Sequence, residues 1–251
     1  MSFIIFIFGL LLGSFLNSFI WRYRKNILET IFNDRSMCPC CGHVLEVNDL
    51  IPVFSFVVLG GRCRYCESKI SWQYPFVEIF FAVLTLLLYL QMGFGMELVF
   101  FTVIAFLLTA LMVIDIYDGV LPNKLVLTLI LITFFGMIAG GNNTMLWKDM
   151  IFGGIAGLGF FMALWIVTLG KGIGMGDVKL ALALGMLTGY SGVWQWVVLS
   201  FVMGSIYVIP MLFSGRKKWK SEIAFGPFMI LAFWLVYFWG EQIDIWMWLY
   251  V

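Results

Sequence analysis

Long apolar runs, separated by short polar segments, make up most of the chain. A helix needs about 20 apolar residues to cross the hydrocarbon core of a bilayer. Runs bounded by charged or turn residues predict eight membrane-spanning helices, the sixth of them short, near residues 3–21, 76–92, 97–114, 121–139, 149–169, 178–190, 192–213 and 223–239. The pattern therefore predicts an all-α polytopic membrane protein. Its three parts are a first transmembrane helix at 1–21, a small polar insertion at 22–74 and a helical membrane core at 75–251.

Composition and charge support a membrane protein and suggest its orientation. The chain is 63% apolar and only 12% charged, more apolar than a soluble domain requires. Its net charge of +1 argues against nucleic acid as a partner. Of the 15 basic residues, all except Lys148 fall in the loops after the first, third, fifth and seventh runs or in the first four residues of the run that follows. The positive-inside rule places those loops in the cytoplasm and both termini outside. Because Arg22 and Arg24 follow the first run and no basic residue precedes it, we expect a retained helix and not a signal peptide.

The insertion holds all five cysteines of the chain. Four of them form two Cys-x-x-Cys pairs, Cys38 with Cys41 and Cys63 with Cys66. Paired knuckles of this kind are typical of a structural zinc ion held by four thiolates, and a reducing compartment favours metal over disulfides. Two disulfides or unligated thiols are the alternatives. Cys40 does not fit the Cys-x-x-Cys spacing and is expected to be a spare thiol. His43, the single histidine, could replace a cysteine as a ligand, but a position beside the knuckle is preferred for it. A closed site of four thiolates has no open position for chemistry.

Two carboxylates stand at the ends of apolar runs. Asp115 ends the third run, and Asp177 opens the sixth within Gly174-Met175-Gly176-Asp177. Charged side chains at membrane depth are costly, so each is a candidate functional residue. The count of runs places both at the same face, where two acids sharing one proton can activate water and polarise a scissile carbonyl. Gly174 and Gly176 permit an irregular backbone that a substrate can approach.

Other roles for the two acids stay open at this point. Asp115 can be the polar end of its helix, and Asp177 can cap the helix that follows it. Paired intramembrane acids also serve as relays in proton- or ion-coupled transporters. A third alternative is a non-catalytic scaffold anchored by the zinc site.

Several short motifs, taken in order, resemble the type IV prepilin peptidases, a family of polytopic aspartic proteases. They are Gly13-Ser14-Phe15-Leu16-Asn17, Arg35-Ser36-Met37-Cys38-Pro39-Cys40-Cys41, Gly60-Gly61-Arg62-Cys63-Arg64-Tyr65-Cys66, Tyr74-Pro75 with Glu78, Ile114-Asp115 with Leu121-Pro122, Gly174-Met175-Gly176-Asp177-Val178-Lys179-Leu180 and Phe225-Gly226-Pro227-Phe228. Two positions depart from the pattern of that family. Gln73 stands where a basic residue is usual, and Asn123 stands where an acid often follows Leu-Pro.

The resemblance implies a peptidase of the bacterial inner membrane, with its active site facing the cytoplasm. It would cut the basic leader from type IV prepilins or pseudopilins after a glycine, so its partners would be that leader, the pilin amino-terminal helix and the bilayer. Asp115 and Asp177 would be the catalytic pair. Gly174, Gly176 and Lys179 would form the active-site loop or contact the substrate. Members with the zinc cysteines often also methylate the new amino terminus, which implies S-adenosylmethionine as a second cofactor.

Overall fold

The computed structural model describes residues 1–31, 35–139, 144–213 and 223–240, and these residues are mostly helical. The helices are α1 (Ser2–Arg24), α2 (Phe54–Val58), α3 (Gln73–Met92), α4 (Met96–Asp118), α5 (Asn123–Ala139), α6 (Thr144–Val167), α7 (Met175–Phe213) and α8 (Gly226–Trp239). Five of them, α1, α3, α4, α6 and α7, are long and apolar enough to cross a membrane, and α5 and α8 are shorter apolar helices. The predicted all-α multi-pass membrane protein is confirmed. The basic segment at 216–220, which helped to predict the topology, lies outside the described residues.

Helix α7 is two antiparallel segments and not one long rod. A Cβ placed on Gly157 of α6 would lie 2.8 Å from the Ala181 carbonyl oxygen and 3.4 Å from the Trp196 ring. On a straight helix Ala181 and Trp196 would be about 22 Å apart, at 1.5 Å per residue. The chain therefore folds back at Gly189, where φ is +70° and ψ is 171°. Counting the two segments of α7, 175–188 and 190–213, and leaving out the short α2, the described residues form eight apolar helical segments, which is roughly consistent with the predicted eight.

Small residues of α6 let it pack closely against α7. A Cβ on Gly185 of α7 would lie 2.5 Å from the Gly153 carbonyl oxygen and 3.1 Å from the Gly154 Cα. Contacts of this kind between backbones are what small residues permit in membrane helices. At the fold-back itself, Asp149 Oδ1 accepts the Ser191 N–H at 3.3 Å. This hydrogen bond caps the start of the second segment of α7.

The chain divides into two compact units, residues 1–110 and 111–251. In the first unit α1 packs antiparallel on α3, and Asn17 Nδ2 donates to the Tyr74 carbonyl oxygen at 3.0 Å. In the second unit α7 packs against α5, α6 and α8, and the buried Trp196 Nε1 donates to the Met229 carbonyl oxygen at 2.8 Å. All five cysteines lie in the first unit, and both candidate catalytic acids lie in the second.

Candidate active site

Asp115 lies in the last turn of α4, with its side chain buried. The helix ends at Gly119, which has a φ of +63° and donates its N–H to the Asp115 carbonyl oxygen at 2.9 Å. Glycine is favoured at this position because it adopts positive φ without strain. The Asp115 residue is 4% exposed. By ordinary hydrogen-bond geometry, its Oδ2 atom has no partner among the described residues. A buried carboxylate oxygen without a donor is costly, which marks Oδ2 as a place for a proton or a substrate.

Asp177 lies in the first turn of α7 and is 8% exposed. Its Oδ2 accepts the Gly174 N–H at 3.2 Å, and its own N–H donates to the Gly174 carbonyl oxygen at 3.1 Å. The side-chain contact is one half of a capping box, so the capping role considered from the sequence is present. The hydrogen bond from Gly174 is accepted by Oδ2, so the Oδ1 atom of the same carboxylate takes no part in the cap.

The two carboxylates lie in one contiguous cluster. A Cβ on Gly226, the first residue of α8, would lie 2.6 Å from Asp115 Oδ2 and 3.4 Å from Leu121 Cδ1. A Cβ on Gly176 would lie 2.9 Å from Leu121 Cβ. Leu121 thus touches the neighbours of both acids, and the cluster draws on α4, the α4–α5 connection, α7 and α8.

Sequence reasoning gave no role to Leu121 or Gly226, although both stand in the quoted motifs. Both residues contact positions that are far apart from them in the sequence, and the spacing of residues along the chain does not reveal such contacts. The available signal was the count of apolar runs, which places the start of the eighth run at the same face as both acids. Of the predicted loop residues, Gly174 is exposed and donates its N–H to Asp177, while Gly176 is half-buried beside Leu121.

Lys179 contacts an amide. Its Nζ donates to Asn123 Oδ1 at 2.8 Å, and the lysine itself is exposed. Asn123 is the first residue of α5, so this hydrogen bond joins the first turns of α5 and α7. Lys179 therefore links α7, whose first turn carries Asp177, to α5, the helix that follows Asp115 in the chain. Because Asn123 is neutral, the contact leaves the lysine charge uncompensated by this partner.

The four cysteines of the two predicted knuckles come together in the first unit. Their sulfur atoms all lie within 4.8 Å of one another, and Cys38 Sγ is 3.9 Å from Cys66 Sγ. Tetrahedral zinc–thiolate bonds of about 2.3 Å would separate the sulfurs by about 3.8 Å. Cys40 is exposed and outside the cluster, and the His43 ring stacks on Tyr65 with 3.6 Å between ring centroids. The arrangement fits one structural zinc ion held by four thiolates.

Both knuckles use the same backbone turn. Cys38 N–H donates to the His43 carbonyl oxygen at 2.9 Å, and Cys63 N–H donates to that of Ser68 at 2.9 Å. Hydrogen bonds from Ser68 lower the pKa of the Cys66 thiol to about 6, which favours the thiolate that a metal requires. The second knuckle is held from outside by Asp49, which accepts Arg64 Nε at 2.9 Å and the Tyr65 hydroxyl at 3.0 Å. Although burial raises the pKa of Asp49, these donors and the Glu46 N–H hold it below its usual range.

Comparison with protein families matches both parts of the chain. Residues 7–92 match the bacterial peptidase A24 N-terminal domain, and residues 102–209 match the type IV leader peptidase family. The chain belongs to the type IV leader peptidase family. The resemblance seen in the motifs is thereby confirmed, and the protein is a multi-pass membrane peptidase.

Similar members of this family come from different bacteria and are named prepilin leader peptidase/N-methyltransferase. That of Aeromonas hydrophila is 30% identical, over 97% of this chain and 92% of its own length. That of Xanthomonas campestris is 32% identical, over 94% of this chain and 90% of its own length. That of Bacillus subtilis is 31% identical, over 96% of this chain and 95% of its own length. No solved structure matches the chain.

Proposed function

We propose that this peptidase removes the basic leader from type IV prepilins or pseudopilins, with Asp115 and Asp177 as its catalytic pair. The observation that carries the proposal is that two buried carboxylates, from α4 and α7, lie beside Gly226 and Gly176, which both pack on Leu121. The names of the relatives support the class of substrate. We propose a cut after a glycine, before the apolar amino-terminal helix of the pilin.

The two carboxyl groups and one water molecule account for the hydrolysis. The ionised aspartate takes a proton from water, and the water oxygen attacks the scissile carbonyl carbon. The protonated aspartate donates its proton to the carbonyl oxygen. When the tetrahedral gem-diol collapses, the carbon–nitrogen bond breaks and the leaving nitrogen receives the proton taken from water. One hydroxyl of the diol returns its proton to the other aspartate, so a carboxylic acid forms and the pair is restored.

The position of the acids favours a reaction at the membrane surface. Asp115 is in the last turn of α4 and Asp177 in the first turn of α7, so both lie at helix ends. The distribution of basic residues assigns this face to the cytoplasm of a bacterial inner membrane. On the same basis both termini face outside. Zinc held by Cys38, Cys41, Cys63 and Cys66 would give rigidity to the insertion and take no part in the hydrolysis.

A second activity is proposed from the names of the relatives alone. It is methylation of the new amino terminus, with S-adenosylmethionine as the methyl donor.

Cleavage assays with three asparagine variants test the catalytic pair. We expect Asp115→Asn and Asp177→Asn each to lower the cleavage rate of a prepilin substrate in membranes by about 10²- to 10⁴-fold. Asparagine keeps a carbonyl oxygen that can accept the Gly174 N–H, so loss in Asp177→Asn would not be explained by a lost cap. Asp118→Asn, at an exposed acid one turn after Asp115, is the matched control and should cleave normally. A midpoint of thermal unfolding in detergent equal to that of the wild type would show that each variant is folded.

The same variants separate the competing functions. Normal cleavage by Asp115→Asn or Asp177→Asn would exclude the aspartic mechanism. If the wild type cleaves nothing but moves protons or ions across vesicles in an Asp-dependent way, the transporter is favoured. If neither activity is found, the scaffold remains.

A further inference from the structure

The short helix α2 carries an apolar stripe that faces away from the protein. Phe54, Val57 and Val58 are 62%, 68% and 62% exposed, and Ile51 is 39% exposed. The spacing of three and four residues places Phe54, Val57 and Val58 on one face of the helix, and Ile51 precedes the helix in extended backbone. Phe56 points the other way and packs edge-on against Trp72, with 4.9 Å between ring centroids. The sequence from 51 to 61 contains no charged residue, unlike the rest of the insertion.

A hydrogen bond fixes the depth of α2 relative to two membrane helices. Val53, the residue before α2, donates its N–H to Glu78 Oε2 at 2.8 Å. Glu78 lies five residues after Gln73, the start of α3, which is about 7.5 Å along the helix. Glu78 also packs on Gly13 of α1, eleven residues or about 16 Å before the end of α1 at Arg24. Helix α2 therefore begins within the length of both spanning helices, and not beyond their ends.

The contacts around Glu78 show that this depth is built into the fold. Glu78 is 7% exposed, and a Cβ on Gly13 would lie 2.7 Å from its Cα, so α1 and α3 touch at this level. Val53 has a φ of +61°, a strained conformation for a β-branched residue. Such a conformation persists only where the surrounding structure holds it, as the hydrogen bond to Glu78 does here.

We infer that α2 is an interfacial helix, inserted into the boundary between lipid headgroups and acyl chains on the side of the membrane that carries the insertion. Its occupant is lipid: the stripe of Phe54, Val57 and Val58 faces the acyl chains. Interfacial helices of this kind bury their apolar face about 5–10 Å into that boundary, and the hydrogen bond to Glu78 starts α2 within the length of α3. Trp72, 77% exposed at the start of α3, suits the same zone, where tryptophan is enriched. The insertion is thus anchored on the bilayer through α2, and the zinc knuckles are held at its surface.

Fluorescence quenching by labelled lipids tests this placement in the full chain. An environment-sensitive fluorescent amino acid replaces Val57 or Phe54 of the stripe, or Glu67, an exposed residue of the second knuckle, as the control. The variants are reconstituted in phosphatidylcholine–phosphatidylglycerol vesicles with a nitroxide quencher high on the acyl chain. We expect the probes at 57 and 54 to lose more than half of their fluorescence, and the probe at 67 to keep most of it. Zinc content equal to that of the wild type shows that the insertion is folded.

Two results would overturn the inference. If the probes at 54 and 57 are quenched by iodide in water and no more by the labelled lipid than the probe at 67, the stripe faces solvent. If they are shielded from both quenchers, the stripe is covered by protein, either a second copy of the chain or a bound substrate helix.

Discussion

Gly226 brings the α8 backbone against the carboxylate of Asp115. The position has no room for a side chain, because a Cβ there would lie 2.6 Å from Asp115 Oδ2 and 3.3 Å from its Cγ. The geometry of Asp115 thus depends on a residue more than one hundred positions away in the sequence. A methyl group at 226 would have to displace either the carboxylate or the start of α8.

We therefore predict that Gly226→Ala lowers the cleavage rate while the protein still folds. Misplacement of a catalytic group by about 1 Å can cost about 10²-fold in rate, and we expect a loss of that order. Gly159→Ala is the matched control, because a Cβ at this exposed glycine of α6 would meet nothing within 4 Å. Cleavage by Gly226→Ala at the rate of Gly159→Ala would contradict this role for Gly226.

The hydrogen bond from Lys179 to Asn123 gives a second prediction at this scale. Asn123→Ala removes the acceptor and frees the first turn of α7, which carries Asp177. A hydrogen bond of this kind contributes about 0.5–1.5 kcal/mol, so we expect kcat to fall about 2- to 10-fold. Asn123→Asp should retain kcat, because a carboxylate accepts the same donor. If Asn123→Ala raises KM alone, Lys179 contacts the substrate and does not position Asp177.

Residue types and local spacing predicted much of the candidate site, but not its neighbours. The four cysteines were identifiable because each pair lies within one turn, so their geometry is local. Asp115 and Asp177 were identifiable because charge at membrane depth is rare. Gly226 and Leu121 were not, because their importance comes from contacts between helices that are far apart in the sequence.

At the scale of elements, Gly189 determines where the sixth and seventh predicted spans separate. The sequence located this break within a residue or two, between the runs at 178–190 and 192–213, although few polar residues mark it. Helix α2 was not expected, because its five residues are too few for a periodic pattern and lie inside a segment taken as polar. Its position depends on Glu78, a contact that the sequence does not show.

Gly189→Ala should destabilise the fold-back of α7. The backbone at 189 lies in a region that is almost restricted to glycine, which costs other residues about 1–3 kcal/mol. A Cβ there would also collide with the Asp149 carboxylate that caps Ser191. We expect a lower midpoint of thermal unfolding in detergent than for the wild type, with Gly159→Ala again as the control. An unchanged midpoint would show that the fold-back does not require positive φ.

At the scale of the whole molecule, the two chemical centres belong to different compact units. The cysteine cluster lies within residues 1–110, and the acids lie within residues 111–251. Four thiolates complete the coordination of a zinc ion and leave no position for water or a carbonyl oxygen. The metal is therefore expected to stabilise the insertion without entering the hydrolysis.

Replacement of zinc by cobalt tests this separation of roles. Co²⁺ also accepts four thiolates, and it absorbs visible light when they bind it, so its occupancy of the cysteine site can be measured directly. Because a structural metal acts only through geometry, we expect the cobalt form to cleave prepilin substrate at the rate of the zinc form. Cys63→Ser, which removes one ligand, should weaken the cobalt absorption and lower the stability of the insertion. A cleavage rate that changes with the identity of the metal, at equal occupancy, would instead mean that the ion takes part in the reaction, and the two-aspartate mechanism would then be incomplete.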